Sequence, residues 1–551
     1  MKAYRPRSNL TTHEVHNQPE PLCDYNLYLT DQPVQDAFSR FGKASAGARL
    51  TAFGALLGSD DILAQGDLAN KYPPELKSFD QFGNRIDEVE FHPAYHKMMQ
   101  IGSNAGISSI AWQDDEADQG HVTHAALEYL QYQVEGGTCC PLTMTYASVA
   151  ALRHQPDSLS QWLPGILSCE YDPRSLPADQ KTGLTIGMAM TEKQGGSDVR
   201  SNSTTATAIG DNMYELLGHK WFCSAPMCDA FLTLANTDQG LSCFLVPRWR
   251  EDGDRNSLQI MRLKDKLGNK SNASSEIEYH HAQARMVGVE GRGVATIIDM
   301  VHHTRLDCCL APIALMRQAL SQAVHHCRQR TAFQKKLIDQ PVMRAVLADL
   351  AVEVEAGVLT FMHIARKFDD SAENSDAKTY ARLAVAVAKY WHNKRCPNFV
   401  YEAMECLGGA GYVEESILPR LYREAPLNSI WEGAGNVICL DILRTLQKEP
   451  RALELYFAEL TPARSTNKHL DRAVSRLKDL LKSGDNHEPQ ARRLVEQMAL
   501  CLQGALVVQF APAPVSDLFC ATRLGQDWGH AYGTIPPRHA VDQVLSRVWQ
   551  D

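Results

Sequence analysis

Residues 189–201 contain the side chains whose types and spacing best suit the binding of a cofactor. Two adjacent glycines, Gly195 and Gly196, are followed there by Ser197 and Asp198. Because glycine has no Cβ, the backbone can approach a ligand closely, and the next two residues offer a hydroxyl and a carboxylate at a turn. This arrangement suits a cofactor that carries anionic groups. Taken alone, however, Gly-Gly-Ser-Asp is more typical of an ordinary turn.

A second stretch with possible chemistry lies far downstream. It begins at residues 405–412, Glu-Cys-Leu-Gly-Gly-Ala-Gly-Tyr, and leads to the triplet Trp431-Glu432-Gly433. An isolated glutamate is most often a solvated carboxylate on a surface or at a helix end. Only its position within a larger motif can therefore identify Glu432 as a catalytic group.

Both stretches resemble signatures of the acyl-CoA dehydrogenase family at their fixed positions. The first is similar to Thr-Glu-x-x-Gly-Gly-Ser-Asp, and the second to the family's other signature and its aromatic-Glu-Gly segment. The resemblance implies α,β-dehydrogenation of an acyl thioester, in which Glu432 is the base that removes the α proton and FAD accepts a hydride. It also implies that hydrogen bonds stabilise charge on the thioester carbonyl.

The same resemblance implies a set of residues around one FAD per subunit. It places an Arg-x-x-Phe motif, Arg330 and Phe333, against the flavin of a neighbouring subunit, and it places Arg305 on the substrate side. The residues implied to bind the cofactor are Met188, Met190, Thr191, Gly196, Ser197, Phe222, Ser224, Arg330, Phe333, Gly408, Gly409, Trp431, Gly433 and Asn436.

Within the family, the branch of the bacterial adaptive-response proteins is the most similar, notably at residues 16–19, 26–29 and 264–269. This resemblance implies an α+β, mainly α, fold, a homotetramer, and protection of double-stranded DNA against alkylation through a DNA-binding C-terminal domain. The expected domains are a helical domain at 1–182, a β domain at 183–290, a helical bundle at 291–448 and an extra helical domain at 449–551.

Hydrophobic spacing independently predicts this order of elements. Apolar residues recur at helical spacing up to about residue 180 and again after Gly293. Between them, β-branched and aromatic runs separated by polar turns predict a small antiparallel β domain. The clearest runs are 213–217, 231–234, 243–246 and 276–279. Two later helical stripes predict an antiparallel bundle: Met316, Leu320, Val324 and Cys327, then Val342, Val346, Leu350 and Val354.

The tail differs from the rest of the chain in charge. Residues 448–551 contain 13 Lys and Arg against 12 Asp and Glu, whereas the whole chain has a net charge of −10. Four basic residues recur every fourth position, which on a helix gives one basic stripe: Arg464, Lys468, Arg472 and Arg476. Such a stripe is usually only a solvated face. On an acidic molecule it is also where a DNA phosphate backbone would bind.

Composition and motifs exclude several other classes. A chain of 551 residues exceeds one ordinary core. Its acidic balance argues against coating nucleic acid over the whole surface, and 15 cysteines without a Cys-x-x-Cys pair indicate reduced thiols of a cytoplasmic protein. Residues 498–515 predict a buried helix ending before Pro512 rather than a membrane span. Adjacent histidines point to different faces, so no metal is expected.

Three residues depart from the family pattern: His302, where the family often has an aspartate near bound CoA, Gln334 after Arg-x-x-Phe, and Ala434 after Glu-Gly. Trp431 and Asn436, which bracket the base, would also narrow the acyl pocket. The flavin site is therefore expected to be better preserved than the acyl-CoA site, with weak activity on short or branched chains. Two functions remain open. One is an FAD-containing, DNA-binding protein that protects DNA against alkylation. The alternative is an ordinary acyl-CoA dehydrogenase of fatty-acid or branched-chain catabolism with an elaborated C-terminus.

Overall fold

The computed structural model of the chain describes residues 10–113, 120–482 and 487–549. The first nine residues of the predicted N-terminal domain, and short pieces elsewhere, lie outside this range. The elements of the first region are mostly helices, and their bounds are α1 (Gln32–Phe41), α2 (Gly47–Leu57), α3 (Asp60–Lys71), β1 (Glu75–Phe79), β2 (Arg85–Glu90), α4 (Pro93–Asn104), α5 (His121–Tyr132), α6 (Cys139–Leu152) and α7 (Pro156–Leu167).

Strands β1 and β2 form an antiparallel hairpin that the sequence did not predict. Their side chains alternate between charged and apolar types, but only Val89 is a fully buried apolar residue. So short and polar a pattern is hard to distinguish from a loop. The hairpin is stabilised from outside itself, since Arg85 Nη2 donates a hydrogen bond to the Ile260 carbonyl at 3.0 Å.

A seven-stranded sheet follows, and it confirms all four predicted runs as strands. Its order is β3-β6-β4-β5-β9-β7, with β8 on β9 and a further β6–β7 pairing that closes the ring. The sheet is mainly antiparallel, as predicted, but β3 and β4 each pair with β6 in parallel. The strands are β3 (Ile186–Ala189), β4 (Thr205–Gly210), β5 (Met213–Ser224), β6 (Ala230–Thr237), β7 (Gly240–Pro247), β8 (Leu258–Leu263) and β9 (Ser274–Val287).

Three long helices then form the core of a bundle. The first predicted stripe is buried on α8, whereas in the second only Leu350 and Val354 are buried and Val342 is exposed. The elements are α8 (Gly293–Gln329), β10 (Thr331–Ala332), β11 (Lys335–Lys336), α9 (Pro341–Asp370), α10 (Ser375–Cys406), α11 (Gly409–Tyr412), α12 (Leu418–Glu424) and α13 (Gly435–Lys448).

The tail is helical too, which completes the predicted α+β, mainly α, class. Its helices are α14 (Pro450–Leu460), α15 (Lys468–Lys482), α16 (Ala491–Phe510), α17 (Ala513–Phe519) and α18 (Val541–Leu545), and a π-helical turn covers 520–524. Helix α16 ends before Pro512, as predicted. Among the described residues, none of the helices combines the length and the apolar character needed to cross a membrane.

The tail packs into the bundle rather than beside it. One hydrophobic cluster contains residues of the N-terminal helices, the bundle and the tail, and a second contains the sheet with α6 and α7. Arg523 is buried against α9, where it pairs with Asp349 and with Glu353, the latter at 2.9 Å. The predicted boundary at residue 449 therefore does not coincide with a separate core, and the four domain ranges stay predictions.

Candidate functional site

Glu432 lies in a short loop that precedes helix α13. Its φ is +57°, and that of Gly433 is +105°. The left-handed region is unfavourable for a residue with a long side chain, so it persists only where surrounding contacts impose it. Gly433 has little free space, because an added Cβ would lie 2.9 Å from Ile438 Cδ1. The loop is therefore a strained turn whose backbone conformation is fixed by its neighbours.

Two cations from the bundle hold this loop through its backbone. Lys389 on α10 donates to the carbonyl oxygens on either side of Glu432, at 2.9 and 2.8 Å. Arg305 on α8 donates from Nε to the Glu432 carbonyl at 3.2 Å, and its Nη1 pairs with Asp441 at 2.8 Å. Burial lowers the pKa of Lys389 to about 8. Three successive carbonyl groups are thus fixed by donors from two helices.

The carboxyl group of Glu432 has one direct side-chain partner. Thr304 donates from its hydroxyl to Oε2 at 2.7 Å. Desolvation raises the pKa of Glu432, and the Thr304 hydrogen bond and the charges of Lys389 and Arg305 oppose that rise. A carboxylate whose pKa is raised by burial is suited to accept a proton near neutral pH. The arrangement is that of a positioned general base.

Thr304→Val is expected to move the acid limb of the pH–rate profile to higher pH. The hydroxyl stabilises the charged carboxylate, so its loss raises the pKa of Glu432 and leaves more of the base protonated in acid. A hydrogen bond to a charged group contributes about 1.5–3 kcal/mol, so turnover on the acid side should fall roughly tenfold to a hundredfold, and less at alkaline pH. Measuring kcat/KM against pH tests this. Thr304→Ser, which keeps the hydroxyl, is the control, and an unmoved limb in the valine variant contradicts the contact.

The predicted flavin loop leaves the end of β3 and is held by a buried ion pair. Glu192 Oε1 lies 2.8 Å from Lys220 Nζ, and both side chains are fully buried. The amides of Ser203 and Thr204 also donate to Glu192, at 2.6 and 3.2 Å. Burial alone would raise the pKa of Glu192, but the Lys220 charge and these hydrogen bonds lower it to about 2. The carboxylate therefore stays charged and keeps the loop in place.

The loop itself has the features that a flavin dinucleotide requires. An added Cβ on Gly196 would lie 2.4 Å from Thr191 Oγ1, so only glycine lets the backbone close onto this hydroxyl. Gly195 has φ +136° with open space before it, and Ser197 is exposed. Backbone groups and hydroxyls are thus presented to a ligand without side-chain obstruction, which fits FAD.

Strand β5 connects the predicted flavin loop, residues 189–201, with the surroundings of Glu432. The Trp221 amide donates to the Thr191 carbonyl at 2.7 Å, and Ser224 ends the strand. Burial raises the pKa of the Cys140 thiol to about 12, a hydrogen bond with Ser224 lowers it, and the charge of Glu432 raises it. The Ser224 hydroxyl and the Glu432 carboxyl group therefore both lie near one buried thiol.

Most of the remaining predicted flavin residues lie on the sheet or close to Glu432 in the sequence. Met188, Met190 and Trp431 are partly buried and pack against the core of the sheet. Phe222 is half-exposed, with Lys264 Nζ 4.6 Å from its ring centroid. Asn436 is exposed in the first turn of α13. The residues implied for the flavin ring thus lie on or next to strands β3 and β5 and next to Glu432, and their joint contact with the flavin stays a prediction.

Four predicted residues instead lie at the far end of the bundle. They follow the C-termini of α8 and α10, which end side by side, since Cys327 and Cys406 are close enough for their charges to interact. Thr304, the partner of Glu432, lies 26 residues before Arg330, the residue that caps α8, which is about 39 Å along a helix. One chain therefore does not bring both groups to one flavin. The four are Arg330, Phe333, Gly408 and Gly409.

Arg305 has a positioning contact that the sequence did not predict, and its place on the substrate side stays a prediction. The sequence placed it on the substrate side, but its guanidinium is buried and committed to Asp441 and to the Glu432 carbonyl. The reason is tertiary, because α13 folds back onto α8 and brings a carboxylate to it. The structure supports Arg305 as a residue that positions the base.

The predicted basic stripe of the tail is interrupted. Asn467 Oδ1 accepts hydrogen bonds from the amides of residues 469 and 470, at 2.9 and 3.5 Å, so α15 begins only at Lys468. Ser465 has φ +65°, which no helix contains. Arg464 therefore does not share the helix with the others, and it lines a groove between α14 and α15 together with Lys478.

The other three predicted cations do share one exposed side of α15: Lys468, Arg472 and Arg476. Arg476 also donates to the Leu524 carbonyl at 3.0 Å. Lys468 and Arg472 are exposed and, within the part of the chain that the structure describes, make no side-chain hydrogen bond or ion pair, so they are the better candidates for a ligand.

Sequence reasoning missed Thr304, Lys389 and the Glu192 ion pair. The sequence signal for Lys389 was a single lysine within the otherwise apolar residues 383–391 of α10. A lysine that is 1% exposed is rare unless it is paired or hydrogen-bonded. Thr304 had no such signal, because a threonine in a helix most often bonds to its own backbone.

Three family models match consecutive parts of this chain. The model described as "Adaptive response protein AidB N-terminal domain" matches residues 17–173. Those described as "Acyl-CoA dehydrogenase, middle domain" and "Acyl-CoA dehydrogenase, C-terminal domain" match residues 187–282 and 291–447. Together they cover well over half of the chain.

Individual proteins give the same result. The AidB protein of Escherichia coli (strain K12) is 45% identical over 514 residues, covering 93% of this chain and 94% of that one. The structure of Caenorhabditis elegans ACDH-11 in complex with C11-CoA has a TM-score of 0.84 and 26% identity, over 99% of this chain and 98% of that one. A Bacillus anthracis acyl-CoA dehydrogenase complexed with FAD shares the fold, with a TM-score of 0.65 at 15% identity over 83% and 86% of the two chains.

Proposed function

This chain belongs to the acyl-CoA dehydrogenase family, in its AidB-like branch, as an FAD-dependent oxidoreductase, and from that premise we propose two activities. The first is slow oxidation of a short or branched acyl-CoA. The second is binding of double-stranded DNA and its protection against alkylation. The observation that supports the first is the Glu432 carboxyl group, which Thr304 contacts and which lies in a loop fixed by Lys389 and Arg305.

In the proposed reaction, Glu432 accepts the α proton of the acyl thioester. FAD, when bound, supplies the acceptor for the hydride from the β carbon. Thr304 keeps the carboxyl oriented and ionised until substrate binds. Because Lys389 and Arg305 fix the backbone beforehand, little reorganisation is needed when the proton is transferred.

His302 supports the proposal of slow turnover. The family resemblance implies an aspartate at this position, three residues before Arg305. Burial and the charge of Arg305 lower the pKa of His302 well below its ordinary value. The side chain is therefore neutral at pH 7, and this position offers no negative charge towards a CoA thioester.

Anaerobic titration of the yellow protein with short, branched and long acyl-CoAs tests the first activity. We expect slow bleaching of the flavin absorbance by a short or branched member of the panel. Rapid bleaching by a common fatty acyl-CoA would favour the ordinary dehydrogenase. No bleaching by any member would exclude acyl-CoAs of these classes as substrates.

We also propose a homotetramer in which the far end of each bundle completes the flavin site of a neighbouring subunit. Phe333 is 95% exposed and has φ +53°. An exposed aromatic side chain on unfavourable backbone is expected where a partner covers it. The distance of about 39 Å between this turn and the base is consistent with a contribution in trans.

The proposal for DNA rests on the exposed cations of α15. Lys468 and Arg472 are exposed on a molecule whose net charge is −10. A local cationic face on an acidic protein favours a polyanion at that face alone. All fifteen cysteines are free thiols, which favours a reducing compartment such as the cytoplasm, where chromosomal DNA is reached directly in bacteria.

The double variant Lys468→Gln/Arg472→Gln is expected to weaken DNA binding nearly equally for every sequence. Phosphate contacts carry no base information, so sequence preference should not change. The log–log salt slope should flatten by about 1.8 if both residues contact phosphates. Fluorescence anisotropy at several salt concentrations measures both effects. The control Lys97→Gln/Arg174→Gln removes two exposed cations far from the tail and should leave the slope unchanged.

One observation favours the alternative of an ordinary dehydrogenase with an elaborated C-terminus. Arg523 of the tail is buried against Asp349 and Glu353 of α9, so the tail contributes to the stability of the catalytic bundle. If the role of the tail is purely structural, the intact protein should not retain DNA at physiological salt. For the same reason, deletion of the tail is not a clean test, because it would remove the cationic partner of the buried Asp349 and leave Glu353 with Arg395 alone.

A further inference from the structure

A cluster of three ionisable side chains lies in the interior between α5 and α8, apart from the flavin loop and the base. His124 and Glu128 are completely buried, and Asp307 is nearly so. His124 Nε2 lies 2.9 Å from Asp307 Oδ1 and 3.4 Å from Glu128 Oε2. One ligand atom from each of the three lies within 4.8 Å of the others. Helical spacing of four places His124 and Glu128 on one face of α5.

The position of the hydrogen on His124 follows from its second nitrogen. Nδ1 lies 2.7 Å from the carbonyl oxygen of Ile107. A carbonyl only accepts, so Nδ1 carries the hydrogen, and in the neutral imidazole Nε2 is a lone pair directed at Asp307. Glu128 Oε2 and Asp307 Oδ2 are buried without a hydrogen-bond donor among the described residues. Three acceptors thus converge on one point.

Three converging acceptors need either hydrogens or a cation between them. Buried carboxylates are retained when they are paired, protonated or bound to a metal. Two separate protons would be needed to satisfy the three acceptors, whereas one divalent cation neutralises both carboxylates and accepts the imidazole lone pair.

We propose that His124, Glu128 and Asp307 bind one divalent first-row transition-metal ion, of the class of Mn²⁺, Fe²⁺ or Zn²⁺. One imidazole nitrogen and two carboxylate oxygens form a donor set that these ions accept. The site differs from the histidine doublets that the sequence presented, because Asp307 is separated from His124 by 183 residues. It departs from the expectation that the chain binds no metal.

The surroundings of the three ligands have the contacts that orient metal ligands elsewhere. His124 donates through Nδ1 to a backbone carbonyl, and Thr143 donates to Glu128 Oε1 at 2.6 Å. The ring of Tyr146 stacks on His124, with centroids 3.7 Å apart. Hydrogen bonds of this kind fix the tautomer and the orientation of a ligand, and they raise metal affinity.

The ion has a structural role in this proposal. It joins α5 of the N-terminal helices to α8 of the bundle, and Asp307 lies one helical turn after Thr304. The metal therefore stabilises the part of α8 that positions the Glu432 loop, but it contacts neither substrate nor flavin. Because the site is buried, the ion enters during folding.

The test is elemental analysis of the full-length flavoprotein, produced with Mn²⁺, Fe²⁺ and Zn²⁺ in the medium and purified without chelators. We expect about one equivalent of metal per subunit and an anomalous diffraction peak between the three side chains. Asp307→Asn keeps the shape of the side chain and should weaken Zn²⁺ or Mn²⁺ binding by at least about a hundredfold. Asp299→Asn, the same change on the same helix at a half-exposed position, should leave the metal content unchanged.

Two results overturn the proposal. One is a wild-type protein with full FAD content that carries no stoichiometric metal and takes up neither Zn²⁺ nor Mn²⁺ on refolding, which would assign protons to the cluster. The other is a folded Asp307→Asn variant that keeps its metal, which would place the ion elsewhere. If Asp307→Asn does not fold, Glu128→Gln replaces it, and the wild-type measurement decides by itself.

Discussion

Glu432→Gln is expected to abolish acyl-CoA-dependent reduction of the flavin while leaving FAD bound. The amide has nearly the same shape as the carboxyl group, but it does not accept the α proton. General-base catalysis contributes roughly a hundredfold to ten-thousandfold, so the rate should fall by a factor of that order. FAD should be retained because Lys389 and Arg305 hold the loop through its carbonyl groups, not through the Glu432 side chain. Anaerobic stopped-flow spectroscopy measures the rate, and the visible spectrum measures the FAD.

Glu415→Gln is the matched control for this experiment. Glu415 is an exposed glutamate of the same family signature region, and its replacement should change neither the rate nor the FAD content. If the Glu432 variant reduces its flavin at the wild-type rate with FAD bound, the base lies elsewhere. Loss of FAD from the variant would show that the carboxyl group also supports the cofactor site.

The parts of the site that the sequence predicted are those in which local chain geometry performs the function. Gly196 is glycine because a Cβ would meet Thr191 five residues earlier. The left-handed backbone at Glu432 and Gly433 is likewise a property of one short loop. Such requirements involve residues that are close together in the sequence, so a motif is sufficient to find them.

The parts that it did not predict depend on contacts between distant residues. Thr304 reaches Glu432 across 128 positions, and Lys389 reaches the same loop across 42 and 44. The packing of α8, α10 and α13 creates these contacts. Neither Thr304 nor Lys389 lies in a sequence motif that would predict them. The cluster around His124 has the same origin, because Asp307 lies 183 residues away and only the packing of α5 on α8 brings the two together.

The tail shows the same division. Its helices follow from apolar spacing, but the spacing of its cations predicted one stripe where Asn467 and Ser465 interrupt the helix. A helix cap depends on one side chain that accepts backbone hydrogens, and it outweighs a regular charge pattern. Nor did the sequence indicate that Arg523 is buried against α9, since an arginine is normally exposed.

Phe333→Asp is expected to break the proposed tetramer and to remove FAD from the protein. The subunit itself should fold, because the ring is 95% exposed and aspartate tolerates a positive φ better than phenylalanine does. A central aromatic residue of an interface typically contributes about 2 kcal/mol or more, which is about thirtyfold in the association constant. A charge in its place adds a desolvation cost. Light scattering after size-exclusion chromatography measures the mass, and absorbance measures the FAD per subunit.

Phe82→Asp provides the matched control, because Phe82 is also a large aromatic residue, 80% exposed, but lies in the β1–β2 turn. If both variants lose FAD equally, the effect of Phe333→Asp is not specific to the far end of the bundle. A Phe333→Asp protein that remains tetrameric with full FAD would contradict the contribution in trans. A dissociated protein that nonetheless keeps its FAD would place the dinucleotide within one subunit. Only joint loss of the assembly and the cofactor agrees with a flavin site to which two subunits contribute. Within one subunit, the base and the turn of Phe333 are separated by about 39 Å of helix.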